Sequence, residues 1–226
     1  MRKISFKEVV DFRNKSDRSK QSYAFNLKSE KEKISTESGG DYWISSISAL
    51  SNSYKLNDVQ PIIDKKEELE EKYETAEYKR TKIMYKRNID ILYTCEEFDL
   101  NRWRPSEKIK FIRKYREQSV LNLGGLQIQV FPTHIFTFKN EDSEKVGAIW
   151  FIAKLDGYRK EELGMFTDIL YRYLNTFFSE NYSVSPKYCI VVDVFRGIDL
   201  NYLQFKESGN SQILDLTIEE IKMLIE

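Results

Sequence analysis

The second half of the chain alternates short apolar runs with turn residues, a pattern typical of β-strands. It predicts strands at residues 119–123, 126–131, 133–138, 145–155 and 187–195. Gly124 and Gly125 stand between the first two runs, which predicts a tight hairpin. The last two runs are almost continuously apolar, so we expect those strands to be buried on both faces of a sheet.

Apolar residues at spacings of three, four and seven predict helices around these strands. The predicted helices cover residues 41–54, 61–98, 158–180 and 217–226. Pro61 suits the first turn of the second helix, because proline is tolerated where no intrahelical N–H bond is needed. The stripe of this long helix also suits a helical hairpin or a coiled coil, and both remain open.

Residues 1–40 have a different character, with a short apolar stretch followed by a polar segment rich in Ser and Lys. Such a composition predicts a flexible arm. Apolar anchors such as Phe6, Phe12 and Phe25 favour an alternative, in which the arm docks on a protein partner.

Together these elements predict an α+β fold: a mixed, mostly antiparallel sheet flanked by helices, with a long N-terminal helical region and a flexible arm. The predicted division is an arm over 1–40, a helical region over 41–100 and an α+β core domain over 101–226.

Composition excludes several classes of chemistry. The 36 basic and 36 acidic residues balance, so a uniformly basic nucleic-acid coat is absent. One histidine, His134, and two cysteines are too few for the usual zinc sites, and well-separated cysteines suit a reducing cytoplasm. We expect a cytoplasmic protein without a membrane partner, because no apolar run is long enough to span a bilayer. We also expect no cofactor. His134 is a candidate for a catalytic base.

A lysine, Lys154, closes the long apolar run that begins at residue 145 and precedes a helix and another buried strand. This order of elements resembles the core of the PD-(D/E)XK nuclease superfamily over about half the chain. The resemblance implies two acidic metal ligands on adjacent strands, with Lys154 as the catalytic lysine and Mg²⁺ as the cofactor if the site is active.

The chain departs from that family pattern where the metal ligands belong. Ile152 occupies the position of the second acid, and residues 132–138 supply no carboxylate. A displaced acid could come from Asp156, Glu161 or Glu162. Asp193, inside the strand that follows the helix, is expected either to cap the next turn or to contact a ligand near Lys154.

Residues 102–116 form the most basic stretch and the best signal for binding. The predicted nucleic-acid contacts are Arg102, Arg104, Lys108, Lys110, Arg113, Lys114 and Arg116. Residues 107–115 fit a strand or a helix, and the strand is favoured because other strand-like runs follow. The alternative is a solvated face paired with acids elsewhere.

These observations favour a non-catalytic, nuclease-like binding subunit that engages a protein partner and possibly nucleic acid. The protein contact is predicted through residues 1–40 or 61–98, and a nucleic-acid contact through 102–116. A Lys-, Ile- and Tyr-rich composition favours a prokaryotic source, and the resemblance implies a role in defence or mobile elements. The alternatives are a Mg²⁺-dependent nuclease and a structural subunit that forms homo-oligomers.

Overall fold

A five-stranded sheet forms the centre of the protein. A computed structural model describes residues 2–28, 42–113, 119–140, 143–209 and 212–226. The sheet has the order β2-β5-β6-β7-β8. Its strands are β2 (Lys110–Ile112), β5 (His134–Asn140), β6 (Ser143–Ile152), β7 (Ser183–Asp193) and β8 (Ile198–Asn201). The β6–β7 pair is parallel and the other pairs are antiparallel, so the predicted mixed, mostly antiparallel α+β fold is confirmed.

A smaller three-stranded sheet lies beside this one, with the order β1-β4-β3. It consists of β1 (Ile4–Ser5), β3 (Val120–Leu123) and β4 (Leu126–Gln129). The hairpin between β3 and β4 is confirmed, because the two strands pair antiparallel with Leu123 opposite Leu126. The two residues of its loop, Gly124 and Gly125, have φ angles of 57° and 87°. Positive φ at both central residues is the requirement of a type I′ turn, which glycine meets without strain.

Two hydrophobic clusters cover the two faces of the large sheet, and consecutive residues of β6 alternate between them. Ala148 and Ile152 belong to the first cluster, while Ile149 and Phe151 belong to the second. Helices α1 (Phe6–Phe12), α6 (Lys160–Phe178) and α8 (Ile213–Ile225) pack into the first cluster. This alternation confirms the prediction that β6, the middle strand, is buried on both faces.

Helices α3 (Ile44–Leu56), α4 (Gln60–Thr75) and α5 (Lys79–Glu96) pack into the second cluster. The prediction of a single long helix over 61–98 is wrong. The alternative, a helical hairpin, is confirmed, because α4 and α5 are separate helices. Ala76 and Tyr78 have extended backbone angles, which end α4 and precede α5. A short 3₁₀ turn over Leu100–Trp103 then leads to β2, which confirms the strand favoured for that stretch.

The structure corrects the prediction of a flexible arm over residues 2–28. After β1 and α1, the segment continues in α2 (Asp17–Lys28), and Phe6, Val9 and Phe12 are almost fully buried. The Phe6 ring meets Phe166 of α6 edge to face, with ring centroids 5.1 Å apart. The rest of the predicted arm, residues 29–40, lies outside the described residues.

Two shorter features complete the chain: helix α7 (Tyr202–Glu207) follows β8, and α8 packs against α2. Lys20 of α2 forms an ion pair of 2.6 Å with Glu220. No helix in the described part of the chain combines the length and apolarity that a bilayer crossing needs.

We expect Phe6→Ala to lower the free energy of unfolding by about 3–5 kcal/mol, because it removes a large buried ring and leaves a cavity. Phe25→Ala is the matched control in the same segment, since Phe25 is 74% exposed. It should change stability by less than about 0.5 kcal/mol. Chemical denaturation measures both, and equal effects would contradict the docked arrangement of residues 2–28.

Candidate functional site

Lys154 lies just beyond the end of β6, where its ammonium group pairs with a buried acid. Its Nζ is 3.3 Å from Oε1 of Glu162, a side chain that is only 2% exposed. It also lies 5.1 Å from the centre of the Tyr158 ring. Ile152, in the position of the missing family acid, is buried in the first cluster. Of the displaced acids considered from the sequence, Glu162 is therefore the one that pairs with Lys154.

Glu162 sits in the first turn of α6, and its two oxygens accept several hydrogen bonds. The Arg159 backbone N–H donates to Oε2 and the Asn14 side-chain amide donates to Oε1, each at 2.6 Å. Burial opposes ionisation of Glu162, but these hydrogen bonds and the charge of Lys154 outweigh it, so the pKa lies below its ordinary value. The carboxylate thus ties the N-terminal segment, the end of β6 and α6 together.

Asp11 of α1 contributes a second carboxyl group to this cluster. Burial raises its pKa, Lys7 and Lys154 lower it, and the negative charge of Glu162 raises it further, with a net rise. Of these two carboxyl groups, Glu162 is the one that forms an ion pair with Lys154. Within the described ranges, no group of three or more His, Cys, Asp and Glu side chains is arranged to hold a metal ion.

Asp193 is paired in register with Ile152 across the β6–β7 ladder, and its carboxylate fixes the loops beside it. Oδ2 accepts a bond from the Tyr158 N–H at 2.6 Å, while Oδ1 accepts one from the Phe195 N–H at 3.0 Å. Burial raises the pKa of Asp193 and these backbone bonds oppose the rise. Of the two roles considered, the one that the structure supports is the cap of the following turn.

His134, at the start of β5, holds α3 against the sheet. Its Nε2 lies 2.8 Å from the Ser51 hydroxyl oxygen and 3.0 Å from the Ser51 carbonyl oxygen. The imidazole stacks on Tyr54 with ring centroids 5.8 Å apart. These contacts give His134 a packing role.

The predicted basic face is divided by the fold. Arg102 forms an ion pair with Asp199 of β8, and Arg104 donates to the Tyr54 carbonyl oxygen. Lys108, Lys110 and Arg113 are exposed, whereas Lys114 and Arg116 lie outside the described residues. The aromatic Trp103, only 2% exposed, serves the core and is not available to stack on bases.

Two adjoining depressions meet at Lys108 and form a continuous surface feature, which we call the basic groove. The smaller, of about 420 Å³, is lined by Lys108, Lys110, Thr137, Phe138, Lys139 and Glu144. The larger, of about 880 Å³, is lined by Asn57, Asn101, Arg104, Pro105, Ser106, Glu107, Lys108, Ile109, Lys187 and Tyr188. Across the described residues, Lys108, Lys110, Lys139 and Lys187 form no ion pair with an acid.

The nucleic-acid contacts predicted from residues 102–116 did not include two of these groove lysines. Lys139 and Lys187 lie far from that stretch in the sequence, in β5 and β7. For Lys139 the sequence does carry a signal, because it is a charged residue that follows the buried Phe138 in a strand. Sequence reasoning also missed Asp11 and Asn14, which were assigned to the arm.

We expect Glu162→Gln to destabilise the protein by about 1–3 kcal/mol at neutral pH, because Lys154 and the surrounding donors lose their charged partner. Since the folded pKa is below the ordinary 4.5, the ionised group stabilises the fold above that pH. This contribution is lost as the pH falls through the pKa of Glu162 in the folded protein. The free energies of unfolding of the variant and the wild type should therefore become equal at acidic pH.

Thermal unfolding across pH measures this difference. Glu161→Gln is the control, because Glu161 is the exposed neighbour in the same helical turn. A pH-independent loss in Glu162→Gln, or an equal loss in the control, would contradict the assigned role.

Comparisons with protein-family models, with curated protein sequences and with solved structures find no match to this chain. The resemblance to PD-(D/E)XK nucleases accordingly rests on Lys154 and the order of elements, and it stays a prediction.

Proposed function

We propose that this chain is a non-catalytic binding subunit that holds single-stranded nucleic acid in the basic groove. The observation that carries the proposal is the convergence of four exposed lysines from three separate elements onto the two adjoining depressions of the basic groove. The elements are the segment before and in β2, the end of β5 and the middle of β7. Clustered lysines that are not paired with acids of the same chain can neutralise the phosphates of a nucleic acid.

The other groove-lining groups suit a nucleic-acid strand. Asn57, Asn101 and Ser106 supply neutral hydrogen-bonding groups, and Tyr188 supplies an aromatic ring that is half-buried. Proteins that bind single strands combine a positively charged path for the backbone with aromatic platforms for the bases. Glu107 and Glu144 are the acids on the groove lining, so positive charge predominates there.

The position of the groove favours binding without cleavage. Lys110 pairs with Thr137, which pairs with Val146, so the lysine lies level with the first half of β6. Lys154 follows the other end of this strand, and eight residues at about 3.3 Å each separate the two levels by about 26 Å. A strand lying in the basic groove would therefore not have its phosphates beside Lys154.

We expect fluorescence anisotropy to detect binding of single-stranded oligonucleotides that weakens steeply with salt, by about 0.7 logarithmic units per decade for each phosphate contact. The groove variant, with Lys108→Glu, Lys139→Glu and Lys187→Glu, should lose most of this affinity and flatten the salt slope. The control reverses three exposed lysines elsewhere: Lys28→Glu, Lys160→Glu and Lys206→Glu.

Equal binding by the groove variant and the control would contradict the proposal. Binding of an acidic protein, with no binding of any oligonucleotide, would assign the groove to a protein partner instead. If the protein bound duplexes more tightly than single strands, the proposal that the ligand is single-stranded would be overturned.

We expect DNA and RNA oligonucleotides to remain intact when incubated with the protein and Mg²⁺ or Mn²⁺. The reason is that the carboxylate beside Lys154 is already bound to donors within the chain. Gel analysis of wild type and Lys154→Ala tests this. Metal-dependent cleavage that disappears in Lys154→Ala would restore the nuclease alternative and overturn the non-catalytic assignment.

A further inference from the structure

The two helices α4 and α5 present one outward surface, which we call the hairpin face. The chain reverses within three residues, and Lys66 of α4 pairs with Glu96 at the far end of α5, so the helices are antiparallel. Ile62 and Leu69 of α4 and Ile89 and Leu92 of α5 are buried in the same cluster. Because both helices bury one side against the body, their opposite sides face outward together.

On α4 the hairpin face is acidic. Asp64, Glu67, Glu71 and Glu74 are all exposed and recur at spacings of three and four, which places them in one stripe along the helix. Over the part of the chain that the structure describes, Glu67, Glu71 and Glu74 form no ion pair. Like charges at these spacings repel one another, so the stripe favours a cationic neighbour.

On the first half of α5 the hairpin face is basic and partly apolar. Residues 78–87 contain five basic residues and no acid. A hollow of about 580 Å³ on this side is lined by Tyr73, Glu77, Lys79, Lys82, Ile83, Lys86 and Arg87. Beside the charges, Tyr78 is 74% exposed and Ile83 is 40% exposed, so this part of the hairpin face also carries large apolar groups.

We propose that the hairpin face is a self-association surface, whose occupant is the hairpin face of a second copy of this chain. With a two-fold axis that runs between α4 and α5, each contact of a residue i with a residue j of the other copy is repeated as j with i. The acidic stripe of α4 in each copy then meets the basic half of α5 in its partner, and the contact is made twice. Charge complementarity within one surface is the reason to choose a second copy over an unrelated partner.

The size of the surface suits a weak, concentration-dependent dimer. A helix of 16 residues such as α4 is about 24 Å long, and two neighbouring helices with their side chains are about 20 Å wide. Such a face covers about 480 Å² per copy, so two copies together bury roughly 1,000 Å², the lower limit for a specific interface. Tyr78 and Ile83 supply apolar contact, and the stripes fix the register.

Light scattering and sedimentation velocity of the full chain test the proposal. We expect a concentration-dependent dimer for the wild type. An acid-reversed variant carries Glu67→Lys, Glu71→Lys and Glu74→Lys; a base-reversed variant carries Lys79→Glu, Lys82→Glu and Lys86→Glu. Each alone should associate at least about tenfold more weakly, because like charges then face each other in both contacts.

An equimolar mixture of the two variants should form a heterodimer, because both contacts again pair opposite charges. This restoration separates a charge effect from misfolding, and circular dichroism confirms the helical content of each variant. The groove variant, with Lys108, Lys139 and Lys187 reversed, should still dimerise, so failure here is distinguishable from failure of nucleic-acid binding. A monomeric wild type, or a mixture that stays monomeric, would overturn the proposal.

Discussion

The requirement to bury both faces of β6 determines the arrangement of the whole molecule. Its residues alternate between two hydrophobic clusters, so helices must cover both sides of the five-stranded sheet. One side is covered by α1, α6 and α8, and the other by α3 and the helical hairpin. The Lys154 cluster, the basic groove and the hairpin face all take their positions from these two layers.

Much of this arrangement was predictable because it follows from local periodicity. The prediction of strands at residues 133–138, 145–155 and 187–195 and of the hairpin at Gly124–Gly125 needs no knowledge of distant contacts. The arm was mispredicted for the opposite reason. Its apolar positions, such as Phe6 and Val9, are few, and their partners lie in α6 and β4, more than a hundred residues away. A composition rule cannot see such partners, so it predicts flexibility.

The candidate sites were predictable only in part, because charge in a sequence does not reveal pairing. Arg102 and Lys108 belong to the same basic stretch, yet the first is tied to Asp199 and the second is exposed in the basic groove. Glu162 was one of three acids that could have replaced the missing metal ligand, and the sequence did not distinguish it from Asp156 or Glu161. Its role as the buried partner of both Lys154 and Asn14 depends on three segments brought together by the fold. A net charge of zero likewise conceals acidic and basic surfaces that are well separated.

The contacts between α2 and α8 have a consequence for how the chain acquires its structure during synthesis. Arg13 donates to Thr217 and Lys20 pairs with Glu220, so the N-terminal segment completes its packing only after α8 has been synthesised. Contacts of such high sequence separation form slowly, because loop-closure entropy must be overcome first. Until α8 is in place, residues 4–28 lack part of their native packing, and transiently exposed apolar surface of this kind favours aggregation.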